Sequence, residues 1–97
     1  MAADLVAYAS GTIVSRAVIK KPAGSATLFS FDKGEGLSEH TAPFDALVQV
    51  LDGVAEVTVD NVPHRVAVGE IIIMPAHKPH APKALERFKM MLVMIQA

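Results

Sequence analysis

Histidines on a proline-rich segment are the residues of this sequence with the clearest capacity for chemistry. His77 and His80 lie three residues apart in the segment MPAHKPHAP (74–82), directly after the apolar run 71–73. Each proline lacks a backbone N–H and has a fixed φ, so three of them this close predict a rigid turn between two elements. Imidazole nitrogens are frequent metal ligands, so this turn either presents metal ligands or merely ends a strand.

Two further histidines lie outside this segment. His40 follows a stretch rich in glycine and charge, and His64 follows Pro63 at the start of a segment that alternates apolar and polar residues. That alternation predicts a strand with one solvated face, and we expect His64 on the surface.

No nucleophile elbow, phosphate-binding loop or paired-carboxylate motif is present in the sequence.

Composition excludes several classes of protein. The chain has 97 residues with no cysteine, which rules out disulfides, iron–sulfur clusters and thiolate zinc sites. A net charge of −1 without a basic stripe argues against nucleic-acid binding. No apolar run approaches the ~20 residues that cross a bilayer, and the N-terminus lacks a basic region typical of secretory signals. We therefore expect no membrane partner and a cytoplasmic protein.

The elements that must position these histidines are predicted to be strands. Helical periodicity is weak, and short runs rich in Val, Ile and Thr recur between turn residues. Strands are predicted at 12–20, 27–31 and 46–51, with a turn at Asp52-Gly53 and a hairpin over 54–68. Residues 1–97 then form one all-β domain, a sandwich or barrel. The expected core or cavity-lining residues are Phe29, Phe31, Phe44, Val48, Val50, Ile73, Met90 and Leu92.

The C-terminal run 90–95 is apolar at every position. A strand that is apolar on both faces needs cover on both, so it is either internal to the fold or packed against a second subunit. We expect a homodimer, with the N-terminal strand 12–20 as a candidate part of its interface.

Two segments, 34–53 and 69–84, resemble the two motifs of the cupin superfamily. The first family motif has a glycine, a His-x-His pair, a glutamate and a glycine, and the second has a glycine, a proline, a glycine and a histidine. The matching positions here are Gly34, His40, Gly53, Gly69, Pro75 and His80. The resemblance covers about residues 27–95 and implies a single-domain jelly-roll barrel.

The departures from the family pattern fall on its metal ligands. Ala42 occupies the second histidine position of the first motif and Ala46 the glutamate position, which leaves His40 and His80. Two imidazoles are too few for tight binding of a divalent ion, so a third ligand is needed. His77 either supplies it or acts as a turn residue with positive φ at the family's glycine position. The cofactor is accordingly either absent or one ion of iron, zinc, manganese, nickel or copper.

Three functions follow as hypotheses. The first is a small-molecule-binding or sensing cupin whose barrel pocket is lined by His40, His80, Phe44, Val48 and Met90. The alternative is a metal-dependent oxygenase or isomerase that uses His40, His80 and a third ligand. The third is a regulatory module like the sensor half of some transcription factors.

Overall fold

The fold is an antiparallel jelly-roll barrel built from six strands. The computed structural model describes residues 1–96, and for the last of these only the backbone. A short 3₁₀-helix (Ala2–Leu5) precedes the strands β1 (Ile13–Lys21), β2 (Gly24–Phe31), β3 (Phe44–Val59), β4 (Val62–Ala67), β5 (Ile71–Met74) and β6 (His80–Gln96). The strand order is β1-β2-β6-β3-β4, and β5 also pairs with β3. No helix within residues 1–96 has both the length and the apolar character needed to cross a membrane.

The two longest strands, β3 and β6, pair along most of their length, and their ladder is interrupted by bulges. Their pairing shifts register between Val50 and Asp52 and again between Gly53 and Ala55. Gly53 has φ +74°, and a Cβ atom there would lie 2.0 Å from the carbonyl oxygen of Arg87. The predicted turn at Asp52-Gly53 is therefore wrong, because the chain continues through these residues as one bulged strand. A bulge bends a strand without ending it.

The predicted hairpin over 54–68 is confirmed by the pairing of β3 with β4. Asp60 and Asn61 both have positive φ, 49° and 66°, at its two-residue turn. These are the values of a type I′ turn, whose twist matches that of the flanking strands, and Asp and Asn tolerate them better than most residues do.

The core lies between the two halves of the bent sheet. Phe31 and Phe88 stack there with ring centroids 4.5 Å apart and ring planes at 8°. Phe31, Val48, Val50 and Met90 were predicted as core or lining residues and are buried in one cluster. Ile73 was predicted with them, but its side chain is 53% exposed, because in β5 it is Met74 and Ile72 that face the core.

The proline-rich segment has a shorter turn than the sequence suggests. β5 ends at Met74, and His80 already opens β6, so Pro82 lies inside a strand. Its carbonyl accepts a hydrogen bond from Leu37, in the loop before β3. Pro82 pairs with Val57 in the ladder with β3. A proline is tolerated here because pairing on its other side, toward the loop before β3, is confined to isolated bridges.

Candidate functional site

Backbone pairing brings His40 and His80 together. The N–H of His40 donates to the carbonyl of His80 at 3.1 Å, and the N–H of His80 donates to the carbonyl of His40 at 2.9 Å. This isolated antiparallel bridge attaches the loop before β3 to the first residue of β6. On its other side His80 pairs with Val59 at the end of β3. The backbone of His40 is thus joined to that of His80, and the two side chains together are called the histidine pair below.

The rings of the histidine pair meet at their Nε2 atoms, which are 3.0 Å apart. The ring planes are inclined at 70°, with centroids 4.3 Å apart. Each Nδ1 atom is directed at a backbone carbonyl two residues earlier in the chain. The distances are 2.8 Å from His40 to the oxygen of Ser38 and 3.2 Å from His80 to the oxygen of Lys78.

These contacts constrain the hydrogens of the histidine pair. A carbonyl oxygen only accepts, so each Nδ1 atom must carry a hydrogen to bond with it. A neutral imidazole with a hydrogen on Nδ1 has a bare lone pair on Nε2. Two neutral rings would then place two lone pairs face to face at 3.0 Å. One additional proton between the Nε2 atoms satisfies all four ring nitrogens and gives the histidine pair a single positive charge.

The two rings differ in environment. His80 is 6% exposed, whereas His40 is largely open to solvent. Burial lowers the pKa of His80, the hydrogen bond to the Lys78 carbonyl partly offsets this, and the proximity of His40 lowers the pKa further. Burial therefore favours the neutral form of the His80 ring.

A cavity of about 50 Å³ lies beside the histidine pair. Among the side chains of residues 1–95, its wall is apolar except for the two imidazoles, and no aspartate or glutamate lines it. The lining residues are Leu37, His40, Ala42, Ala46, Met74, His80, Pro82, Met90, Leu92 and Met94. A cavity with an apolar wall and one polar cluster is the usual form of a small-molecule site.

The predicted pocket residues separate into three groups. His40, His80 and Met90 line this cavity. Val48 is fully buried in the core cluster and does not line it. Phe44 lines a second, more open cavity of about 130 Å³, together with the lysines at the end of β1.

Several lining residues were not assigned to the pocket from sequence. Met74 and Met94 were attributed to ordinary packing, and Leu37 and Pro82 carried no signal of their own. The two alanines of the cavity were recognisable, because Ala42 and Ala46 occupy the positions of absent metal ligands in the cupin pattern. A missing large side chain leaves space, so these substitutions indicated where a cavity would open.

A jelly-roll barrel with a candidate site at the histidines of two cupin motifs is the arrangement expected of a cupin. The family model of the cupin domain matches residues 27–96, and the chain belongs to this family. Many solved structures share its fold.

A cupin 2 conserved barrel domain protein from Leptotrichia buccalis is 45% identical, with a TM-score of 0.94. The match covers 97% of this chain but only 46% of that protein. A conserved protein of unknown function from Streptococcus pyogenes is 40% identical with a TM-score of 0.88, covering 92% of this chain and 78% of the other. A cupin superfamily protein from Desulfitobacterium hafniense is 30% identical with a TM-score of 0.94, covering 98% and 87%. Comparison with curated proteins gives no match.

Cupins often bind a metal, and the residues of this site do not fit one. Within residues 1–96, no group of three or more His, Cys, Asp or Glu side chains could hold an ion. His77 is exposed in the turn after β5 with φ 65°, as expected for a turn residue, and its N–H donates to the carbonyl of Ala42 at 2.8 Å. Asp45 is also exposed, and its carboxylate accepts a hydrogen bond from the N–H of Ala76 at 2.8 Å. The histidine pair alone supplies fewer ligands than zinc or iron ordinarily takes.

Proposed function

We propose that the cavity beside the histidine pair binds a small organic anion with an apolar body, such as a short-chain carboxylate. The observation that carries the proposal is the 3.0 Å approach of the two Nε2 atoms while both Nδ1 atoms face carbonyls. That arrangement has room for one proton between the Nε2 atoms, and a proton taken up together with an anion would place a positive charge on a wall that is otherwise apolar.

Charge balance favours an anion as the ligand. No acidic residue lines the cavity, so the protonated histidine pair has no counterion within its wall. An isolated charge in an apolar environment is costly, and in the empty cavity burial lowers the pKa of His80. A carboxylate beside the rings compensates the charge. Binding of the anion and uptake of one proton are therefore coupled, and affinity rises as the pH falls through the range in which histidine titrates.

The size of the cavity limits the ligand. A water molecule needs roughly 10–15 Å³ on this scale, so a cavity of about 50 Å³ has room for a few non-hydrogen atoms. Met74, Met90 and Met94 form part of its wall. Methionine side chains adapt readily because they are unbranched and have several rotatable bonds, so the cavity can enlarge modestly around an alkyl chain.

The proposal assigns recognition to the histidine pair and no bond-making step. A binding or sensing role fits a site with two positioned imidazoles and neither a nucleophile nor a third metal ligand.

The direct test compares carboxylates with neutral molecules of the same length. Thermal unfolding is measured at pH 6 and pH 8 with acetate, butanoate and hexanoate, and in parallel with the corresponding primary alcohols. We expect at least one carboxylate to raise the melting temperature, more at pH 6 than at pH 8, because ligand binding to the folded state stabilises it. Calorimetry in buffers of different ionisation enthalpy should show uptake of about one proton per carboxylate bound.

The variants His40→Gln and His80→Gln should lose this response and still fold. His64→Gln is the matched control, because His64 is exposed on β4 and does not line the cavity. Equal stabilisation by alcohols and carboxylates would contradict anion recognition. One equivalent of a metal that purifies with the untagged protein and is lost from both pair variants would contradict it too, in favour of a metal-dependent enzyme.

A further inference from the structure

The second cavity, of about 130 Å³, has no part in the binding site proposed above. It lies at the end of β1 and is lined by the apolar side chains of Phe44 and Met94 and by the polar groups of Lys20, Lys21 and Ser25. Among the side chains of residues 1–95, no aspartate or glutamate lines it. We call it the lysine cavity and call the cavity beside the histidine pair the histidine cavity.

Met94 lies between the two cavities. Of the side chains of residues 1–95, it alone lines both the lysine cavity and the histidine cavity. It is half-buried and packs against the edge of the core cluster. A methionine side chain is unbranched and has three rotatable bonds, so it changes its shape readily around a ligand. Met94 is therefore a movable partition between the two cavities.

The strand registers place both cavities along one row of the inner face. Directly paired residues of neighbouring antiparallel strands project to the same side of a sheet. From β1 through β2, β6 and β3 to β5, the paired residues are Lys20, Ser25, Met94, Ala46 and Met74. The first three line the lysine cavity, and the last three line the histidine cavity. Lys20 and Ser25 thus lie on the same side of the sheet as the floor of the histidine cavity.

The charges of the lysine cavity are open to a ligand. Lys20 and Lys21 are both exposed, and the salt bridges among the described side chains involve other lysines. Asp45 is close in sequence to Phe44 but lies on the opposite face of β3, where its carboxylate accepts a hydrogen bond from the N–H of Ala76. An anion that enters the lysine cavity therefore meets two cations and no carboxylate from its wall.

We propose that the two cavities act as one elongated site for an α,ω-dicarboxylate, a molecule with a carboxylate at each end of an apolar chain. The inference rests on the proposed function of the histidine pair and specifies the class of its ligand. One carboxylate lies at the histidine pair, and the other accepts hydrogen bonds from Lys20 and Ser25. The apolar chain displaces the side chain of Met94 and packs against it and Phe44.

The dimensions of the site favour a long ligand with charge at both ends. The histidine cavity, at about 50 Å³, is filled by a few non-hydrogen atoms, so a longer molecule must extend past Met94. Lys20 and Met94 belong to strands two apart, which separates their backbones by about 10 Å. Succinate is too short to bridge the two cavities, whereas adipate and suberate are longer. Burial of a second carboxylate in a purely apolar wall is costly, and the lysines offset that cost.

Pairs of ligands of equal length test the class. Titration calorimetry at pH 7 compares hexanoate with adipate and octanoate with suberate, and succinate is the short dicarboxylate. We expect adipate or suberate to bind about fivefold more tightly than its monocarboxylate, as for one exposed ion pair, and more tightly than succinate. Without a cation at the far end the order within each pair is reversed, because the second carboxylate loses its hydration.

Two variants with matched controls test the residues. Lys20→Met keeps an unbranched side chain and should abolish the preference for the dicarboxylate while leaving monocarboxylate affinity unchanged. Lys33→Met should retain the preference, because Lys33 is an exposed lysine that lines neither cavity. Met94→Ala removes the partition and should raise the affinity for suberate relative to hexanoate. Met91→Ala is its control on the outer face of β6, the side of the sheet away from the core, and should leave that ratio unchanged.

The outcomes separate this inference from the proposed function. Monocarboxylate binding that requires His40, together with weaker binding of every dicarboxylate, would overturn the elongated site and leave the histidine site standing. A Lys20→Met variant that keeps the preference would overturn it too. Dicarboxylate binding that is unchanged in His40→Gln would place the anion at the lysines alone and overturn the connection between the cavities. The absence of binding by any carboxylate would overturn both proposals.

Discussion

The inner and outer faces of the sheet are both rich in apolar residues, but they differ in burial and in the polar groups that they contain. On β6, Met90 faces inward and is 1% exposed beside the cavity, whereas the adjacent Met91 faces outward and is half-buried. The inner face encloses one polar cluster, the histidine pair, in an apolar wall. On the outer face, Ile19, Ile73 and Ile95 are each more than half exposed. An enclosed polar group in an apolar wall is suited to recognising a small molecule, and an exposed apolar face is suited to contact with another surface.

The largest effect is expected at the bend that separates the two halves of the inner face. Gly53→Ala adds a Cβ atom 2.0 Å from the Arg87 carbonyl oxygen, and a backbone at φ +74° also disfavours alanine. Gly34→Ala is the control, since Gly34 has φ +84° but nothing within 4 Å of a built Cβ. The control should lose about 1–2 kcal/mol of unfolding free energy from backbone strain alone.

Gly53→Ala should lose clearly more than the control, to the point of poor recovery of folded protein. Urea unfolding of both variants measures the difference. Equal losses of unfolding free energy in the two variants would mean that Gly53 does not pack closely against the Arg87 carbonyl. The explanation given for the bulge in β3 would then be wrong.

Met90 and Met91 allow the two faces to be compared with the same substitution on one strand. Met90→Ala should cost about 2–5 kcal/mol of unfolding free energy, as for other buried methionines. Met91→Ala removes the same atoms from the outer face and should cost under about 1 kcal/mol at low protein concentration. Urea unfolding at several protein concentrations checks both values. Similar losses for the two variants would remove the distinction between inner and outer face.

A smaller change in unfolding free energy is expected when the pH is lowered. Burial lowers the pKa of His80 in the folded protein below its value in the unfolded chain. The unfolded chain therefore binds more protons as the pH falls below about 6.5, and unfolding free energy decreases in that range. His80→Gln should flatten this decrease between pH 7 and pH 5, while His64→Gln should leave it in place. An unchanged slope in His80→Gln would show that another group causes the acid sensitivity.

The smallest effect concerns the N-terminal segment on the outer face. The hydroxyl of Tyr8 donates to the carboxylate of Asp52, and its ring packs under Arg87 and Lys89, whose charged groups lie 4.5 and 4.9 Å from the ring centroid. Burial, followed by the hydrogen bond to Asp52, raises the pKa of Tyr8. Tyr8→Phe keeps the ring and should cost roughly 0.5–1 kcal/mol.

The alkaline behaviour of Tyr8 gives an independent check. Since the unfolded chain loses the phenol proton near pH 10 and the folded chain retains it, wild type should lose stability above that pH. Tyr8 is the only tyrosine of the chain, so phenolate absorbance reports it alone. Ionisation of Tyr8 at the ordinary pH in the folded protein would contradict the contact with Asp52.

Much of the fold could be predicted from the sequence because it depends on local residue patterns. The hairpin at Asp60 and Asn61 follows from turn residues between two alternating segments, and the positive φ of His77 follows from its place at a glycine of the cupin pattern. The Asp52-Gly53 dipeptide was misjudged for a physical reason. A glycine with positive φ serves a hairpin turn and a strand bulge equally well, and only the partner strand decides between them.

The candidate site could be predicted from the sequence only in part. Motif spacing identified His40 and His80, and it placed Ala42 and Ala46 at the absent ligands. Alternation along a strand tells which residues share a face but not how deep each lies, so Val48 was expected at the cavity and is in the core. The orientation of the ring nitrogens depends on the carbonyls of Ser38 and Lys78, and no sequence pattern encodes that contact.

The most direct test of the account is to locate the hydrogens on the rings of the histidine pair. Long-range ¹H–¹⁵N NMR spectra of metal-free protein distinguish protonated from bare ring nitrogens, first without ligand and then with a saturating concentration of the carboxylate that raises the melting temperature most. We expect hydrogens on both Nδ1 atoms in each case, and one hydrogen between the two Nε2 atoms that becomes fully populated when the carboxylate is bound. A bare Nδ1 atom on either ring, or spectra that the carboxylate leaves unchanged, would contradict the proposed anion site.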